Sequence, residues 1–309
     1  VNEFISLANL TVVASIPYLL AALGTMLSGR AGVFNVAQEG VMLLGACIGF
    51  LSTHSTGSLG IGLLAASIAG GIVGLILGYT STYLRLDQFV VGLSLFFFCT
   101  GLAGLLFRQV IGTTSVPPLI TTLKPVEIPI LSSIPALGKI FFTQNLLVYF
   151  TYFLVVAMYL YLYRSNAGLT FRSVGENPKA ADSVGISVNR IRMTASIFGT
   201  ALMGVAGAYL PLVFTGLYTN GMINGRGWLA IALTFFGGWR PQYIVLGGTF
   251  FAALETLALR AQVSSIHIPS QLILVAPYVF TLIVMVAVSQ RTTAPTFLGR
   301  NYDRESRTN

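Results

Sequence analysis

Charge is scarce in this chain, and that scarcity removes whole classes of protein from consideration. Only 8% of the 309 residues are Asp, Glu, Lys or Arg, while 55% are hydrophobic and the mean hydropathy is +0.81. A soluble domain carries about 25% charged residues, so an ordinary water-soluble globule is excluded. Cysteine is nearly absent: Cys47 and Cys99 both fall inside apolar runs, which argues against a disulfide framework or a thiolate metal site and reads as two small buried hydrophobes. The two histidines, His54 and His267, match no H-E-x-x-H or similar metal spacing. No G-x-x-x-x-G-K-[ST] occurs, so ATP phosphates have no cradle in this chain. Paired intramembrane aspartates and a Ser/His constellation are also missing, which leaves a membrane enzyme without catalytic groups. The net charge of +8 comes from basic residues scattered over loops, not gathered in a stripe, and nucleic-acid binding does not follow from it.

Long apolar runs are plentiful. A hydrocarbon core of about 30 Å takes about 20 helical residues to cross, and a chain in lipid must satisfy its backbone polar groups internally. Nine spans are expected, at residues 4–28, 33–51, 59–84, 88–108, 145–163, 191–213, 226–239, 241–262 and 270–290: an all-α, polytopic helix bundle in a single transmembrane domain over 1–309. The first run has no Lys or Arg before it and is too long for a signal-peptide core, so it reads as a retained span. The seventh, GRGWLAIALTFFGGW, is short for a full crossing, as helices beside transport routes often are.

If the loop at 164–192 is cytoplasmic, 12 of the 17 basic residues lie inside, among them Arg30, Arg85, Arg164, Arg172, Arg190 and Arg192. The positive-inside rule then places the N-terminus outside and the C-terminus inside. Spans one to four and six to nine thereby acquire opposite topology. The expected division is a first repeat over 1–108, an outer loop and linking helix over 109–163, a second repeat over 191–290 and a cytoplasmic tail over 291–309. A faint echo between SGRAGVFNVAQEGVMLLGA and NGRGWLAIALTFFGGW fits such an inverted repeat, whose interface near the midplane is the expected solute route. Gly70, Gly74 and Gly78 in span three, and Gly45 and Gly49 in span two, recur at the spacing that lets helix backbones approach closely in lipid.

Polar residues inside spans are the candidates for function. On a continuous helix Asn35, Gln38, Glu39 and Met42 share one face by i, i+3, i+4, i+7 spacing. A buried acid costs roughly 2.5–3.5 kcal/mol on insertion scales, so that face turns to protein or to a wet cavity. Two readings stand for it: a polar wall of the route, or a clamp in which Glu39 caps another helix or pairs with Arg30. Glu255 is the other intramembrane acid, near a helix end where it can reach interfacial water; Arg260, five residues on, reaches either Glu255 or an external partner. Trp228 and Trp239 bracket span seven; interface anchoring accounts for Trp239, and Trp228 also suits stacking on a planar ligand. The outer loop at 109–143, with Pro117, Pro118, Pro125, Pro129 and Pro135, excludes a long regular helix.

The loop YRSNAGLTFRSVGENPKAADSVGISVNRIRM, residues 163–193, carries a short helix with Asn177 as N-cap, Pro178 at the first helical position and Gly185 as terminator. A helix of under three turns is marginal alone and needs a surface to pack on; lipid headgroups would serve. Here a resemblance adds more. FRSVGENPKAADSVGIS resembles the coupling loop of the permease subunits of bacterial ABC importers serving simple sugars, nucleosides and branched-chain amino acids. GVFNVAQEGVMLLGA resembles their N-terminal signature, and APTFLGRNYDRE the ending of nucleoside-type members. With RLDQFVVGLSLFFFCTGL and GRGWLAIALTFFGGWRPQ the likeness extends over most of the chain. It is greatest to the shorter permease of nucleoside importers that work with a BMP-type lipoprotein.

The resemblance implies the fold of a type II importer permease and a division of labour. A separate ATPase subunit would bind ATP and Mg and receive the loop at 164–190 through Gly175, Glu176, Asn177, Pro178, Lys179, Ala180 and Ala181. A second, related permease would complete the pore, and an external substrate-binding lipoprotein would deliver the solute, most naturally a nucleoside, across the bacterial cytoplasmic membrane. Asn35, Gln38, Glu39, Trp228 and Glu255 are the expected pathway residues. On this reading, Ala181→Arg uncouples transport from ATPase activity in a folded protein. Ala37 and Gln38 stand where the family pattern has Gly and an apolar residue, and Asn301 where it has Pro; these bear on the solute more than on the fold. A proton-coupled secondary transporter is the rival class, with Glu39 and Glu255 as its carriers.

Overall fold

The structure, a computed structural model, describes residues 2–112, 118–129, 131–135, 137–263 and 294–303, with Val275, Val279 and Ile283 between them. Apart from those three positions, the ninth expected span lies outside the described residues. In chain order the helices are α1 (Asn2–Arg30), α2 (Gln38–Thr56), α3 (Leu59–Thr82), α4 (Gln88–Ile111), α5 (Leu137–Phe141), α6 (Leu146–Arg164), α7 (Asn166–Glu176), α8 (Pro178–Ser183), α9 (Val188–Tyr209), α10 (Arg226–Phe236) and α11 (Pro241–Val263). Among the described residues, α1, α3, α4, α6, α9 with its extension, and α11 are long and apolar enough to cross a membrane.

Burial separates a centre from a ring. The most apolar stretch of α1 is 78% buried and that of α9 67%, against 22–33% for α3, α4, α6 and α11, which leave Leu64, Ile68, Phe97, Phe153 and Leu246 exposed. A ring that is apolar outward is what a bilayer solvates. The centre closes on glycine: a Cβ on Gly45 of α2 would run into the Gly204 backbone of α9, and one on Gly207 of α9 into the Met42 carbonyl. Along α3, Gly70, Gly74 and Gly78 face Thr200, Ser196 and Met193 of α9, and Ser196 donates to the Gly74 carbonyl at 2.8 Å. Both glycine rows read from the sequence serve as helix contacts.

At its end α9 meets Pro211, which lacks the N–H that would continue the α pattern, and the chain widens into a π turn over Leu210–Thr215. Among the described residues, the proline-rich loop after α4 forms small pieces: a two-residue antiparallel ladder of Val126–Glu127 (β1) with Thr143–Gln144 (β2), a 3-10 turn over Leu131–Ser133, and α5.

The loops sort to two ends of the bundle. At one end residues 294–303 run across several loops: Phe297 N–H donates to the Gly175 carbonyl, Gly299 N–H to Gly32, Arg192 to the Arg300 carbonyl, and Arg85 pairs with Asp303 at 2.9 Å. Asn301, where the family pattern has Pro, donates its amide to the Arg85 carbonyl at 2.5 Å, a bond proline cannot make. Arg30, Arg85, Arg192 and Arg300 thus gather at what is here termed the basic face. At the opposite face Asn9 donates to the Lys139 carbonyl. The 29 residues of α1 connect the two, about 43 Å at 1.5 Å per residue.

One expectation fails here. Span two does not begin at residue 33: residues 31–37 are irregular and mostly buried, and α2 starts at Gln38. Asn35 therefore shares no helical face with Gln38, Glu39 and Met42. Its carboxamide oxygen accepts the Ala37 N–H at 2.9 Å, the local turn for which Asn is suited and which competes with helix.

Candidate functional site

Glu39 stands in the first turn of α2 and reaches across to the start of α10. Its two oxygens accept the N–H groups of Gly225, at 2.8 Å, and Gly227, at 2.7 Å. The N-cap of α10 is Gly225, held at φ +82°, a conformation suited to glycine, and it offers no side chain of its own. Glu39 thus caps α10 from another helix, satisfying donors that would otherwise be orphaned and placing its charge at the positive end of the helix dipole. A Cβ on Gly227 would press on the Glu39 backbone, so only glycine admits this approach. Of the two forms of the clamp, the structure displays the helix cap; Arg30 bonds elsewhere.

A second acid holds the same end. Glu255 of α11 pairs with Arg226 at 2.7 Å and accepts from the Tyr18 hydroxyl at 2.9 Å, while Arg226 also donates to the Met222 and Ile223 carbonyls. Arg226, not Arg260, is thus the partner of Glu255; the Arg260 guanidinium lies 3.5 Å from the Glu3 carbonyl. With 11 residues, α10 extends about 16 Å, so its capped N-terminus lies well inside the bundle.

Beside this junction a groove of about 910 Å³ opens between α4, α2 and the loop preceding α10. Thr100, Gly101, Gly104, Arg108 and Gln109 of α4 line one wall, and Leu43, Asn220 and Gly221 the other. One helical turn towards the basic face, Phe96 packs edge-on against Trp228, with ring centroids 5.7 Å apart, and Trp228 stays 41% exposed. The groove's amide, hydroxyl and guanidinium groups offer hydrogen bonding in both directions, and the Trp228 indole, outside the groove lining and a turn from Thr100, offers a face for stacking. In this region Trp228 is legible in the sequence as an aromatic at a span end, whereas Arg108 and Asn220 carry no spacing signal. Asn35 and Gln38 are buried between helices instead: Asn35 lies against Met203, and Gln38 accepts from Thr25 at 2.5 Å.

The expected coupling loop forms two helices. Asn177 breaks them, its side chain accepting the Ala180 N–H at 3.0 Å with Pro178 at the first position of α8, and Gly185 ends the unit at φ +86°. α7 was not foreseen; Ser165 capping Gly168 N–H, with Phe171 and Val174 buried on one side, is the signal that marks it. Gly175 is packed on the Arg30 carbonyl, and Glu176 accepts from Thr296 and lies 3.7 Å from Arg30. Ala181 is buried against Val174 and Val188, so Ala181→Arg would disrupt the loop itself, contrary to expectation. The outward face is Asn177, Ala180, Ser183 and Val184, while Pro178 is buried and Lys179 half-buried.

The family described as branched-chain amino acid transport system, permease component, matches residues 6–289. The chain belongs to this permease family. Among its relatives, a nucleoside ABC transporter permease protein, NupC, from Lactococcus lactis is 33% identical over 96% of both chains. A guanosine ABC transporter permease protein, NupQ, from Bacillus subtilis is 32% identical, again over 96% of both. A putative glucose ABC transporter permease protein, TsgC13, from Haloferax volcanii is 37% identical over 83% of this permease and 78% of its own length. No solved structure matches the permease. Its groove, capped half-length helix and paired loop helices are therefore features of a multi-pass membrane permease.

Proposed function

We infer that this permease is the membrane subunit of an ATP-driven importer that moves a nucleoside across the cytoplasmic membrane. The reading rests on full-length likeness to permeases named for nucleoside and guanosine, joined to a groove lined by Thr100, Arg108 and Asn220, with the half-exposed Trp228 packed on Phe96 one helical turn from Thr100. A purine or pyrimidine presents a flat face and amide-like edges, and a ribose presents hydroxyls; such a lining suits both. A simple sugar is the second reading, favoured by the likeness to the glucose permease protein. Uptake of radiolabelled guanosine, glucose and leucine, compared between cells with and without the chain, separates the readings. Loss of guanosine uptake alone is expected, and loss of glucose uptake alone overturns the nucleoside assignment.

The basic face is cytoplasmic by the positive-inside rule, which puts the N-terminus outside and the C-terminus inside. α7 and α8 then enter a cleft of a separate ATPase subunit, which carries ATP and Mg, through the outward face of Asn177, Ala180, Ser183 and Val184. Ala180→Arg places a long cation on that face without entering the buried Ala181 cluster. It is expected to abolish co-purification of the ATPase subunit, and full retention would overturn the docking face. A second, related permease closes the open side of the groove, where Phe97, Phe98 and Leu105 of α4 are exposed. The opposite face, with the loop at 118–144, receives the substrate-binding lipoprotein. The arrangement as two inverted repeats of a nine-span bundle is supported by the pairing of α2 with α10, second members of each repeat, across the Glu39 cap.

A further inference from the structure

We propose that Arg30 transmits displacement of the α7–α8 loop to α10, and so moves Trp228, which packs on Phe96 next to the groove. The proposal rests on the docking of that loop inferred above. Arg30 ends α1 at the basic face, with its side chain only 11% exposed. Its Nε donates to the Trp239 carbonyl at 3.0 Å, and Nη2 donates to the Gly238 carbonyl at 3.3 Å and to the Tyr163 hydroxyl at 2.9 Å. Tyr163 in turn donates to the same Trp239 carbonyl at 3.0 Å. On its other side Nη1 lies 3.7 Å from the Glu176 carboxylate at the end of α7, and the Arg30 carbonyl is packed on Gly175. One guanidinium thus bonds the turn that follows α10 and pairs with the carboxylate at the end of α7.

The grip on α10 is stiff. Trp239 holds φ +60°, a left-handed conformation rare for a bulky residue and kept only where the surroundings enforce it. Its ring fills the space left by the missing side chain of Gly29, and its carbonyl is taken by Arg30 and Tyr163. A shift at Arg30 therefore cannot be absorbed by the Trp239 turn and passes into α10. At the far end of α10 a matching trio, Arg226 with Glu255 and Tyr18, and the Glu39 cap set the pivot. The hydrogen bonds from the Arg30 guanidinium to the Trp239 and Gly238 carbonyls are charge-assisted and directional, and on the α7 side the close packing of Gly175 on the Arg30 carbonyl does the pushing. Trp228 lies within the first turn of α10, so rotation about that pivot changes how far its indole, 41% exposed against Phe96, is open to solvent.

The test uses the whole complex, with cysteine-free partner subunits, in proteoliposomes. Trp228→Cys is labelled with a maleimide, with and without ATP and vanadate; Cys47 and Cys99 are fully buried and give little background. Vanadate trapping is expected to change the labelling rate by about fivefold or more, the lower end of usual coupling factors. Adding Arg30→Gln or Tyr163→Phe is expected to reduce that change below about twofold. A response of full size in both double variants overturns the proposal, and so does the absence of any response in Trp228→Cys alone. If Arg30→Gln does not assemble, Tyr163→Phe, which deletes one oxygen, decides. The labelling readout needs no solute, and Ala180→Arg is scored by co-purification, so failure of the solute or docking assignment is seen separately.

Discussion

Gly45→Leu is expected to prevent the permease from accumulating as a folded protein. In lipid there is little hydrophobic drive to bring helices together, and α2 and α9 associate because Gly45 and Gly204 let their backbones touch. A Cβ at Gly45 would already overlap the Gly204 carbonyl, with its Cα 2.6 Å and its carbonyl carbon 2.8 Å away, and those are backbone atoms that no rotamer change can move. Overpacking an ordinary core costs about 1–3 kcal/mol, and a collision with backbone lies at or beyond the upper end. Gly101→Ala is the matched control: a Cβ there meets nothing within 4 Å, and Ala is the better helix former by about 1 kcal/mol. Fluorescence-detected size exclusion should return a monodisperse peak for Gly101→Ala and an aggregate or nothing for Gly45→Leu. A stable Gly45→Leu protein would show that the two helices do not pack as described.

Glu39→Leu carries the second large effect, on transport more than on folding. It removes the acceptor of two N–H groups at the start of α10 and leaves them facing Leu in a partly dry site, at about 1–3 kcal/mol for each unsatisfied donor. Glu39→Gln keeps one acceptor oxygen, so it leaves one donor unsatisfied at about 1–3 kcal/mol and loses the charge that the helix dipole favours, about 0.3–1 kcal/mol, a smaller loss than Leu, which gives up both acceptors and the charge. Uptake should therefore fall in the order Glu, Gln, Leu, with Leu near background and the protein still present in the membrane. Equal uptake by the Gln and Leu variants would show that capping of α10 is not what Glu39 contributes. A proton carrier at this position would behave differently, since Gln would then be as inactive as Leu.

Hydropathy made the long helices legible because a span must be apolar for its whole length, and α3, α6 and α11 start within a residue of where their apolar runs begin. Asn177, Pro178 and Gly185 made α8 legible because caps are local chemistry. The break at residues 31–37 was hidden because Val33, Phe34 and Val36 keep the run apolar while the backbone leaves the helix. Only Gly32 at φ +87° and the turn-forming Asn35 mark it. The contacts that define the site were hidden for another reason. Glu39 and Gly227 are 188 residues apart, and Arg226 and Glu255 are 29 apart, so no periodicity connects them. Arg260, five residues from Glu255, was the natural partner by proximity in the chain, yet Arg226 at the start of α10 is the one brought to it by packing. The groove was invisible too, being a relation between α4 and a loop more than one hundred residues later.

ATP-driven movement of solute along this groove is tested most directly by reconstituting the permease with its ATPase, second permease and nucleoside-loaded lipoprotein in proteoliposomes. Accumulation of labelled nucleoside should require ATP and Mg on the side of the basic face and persist when a protonophore collapses the proton gradient. Accumulation that proceeds without ATP and disappears with the protonophore would contradict it.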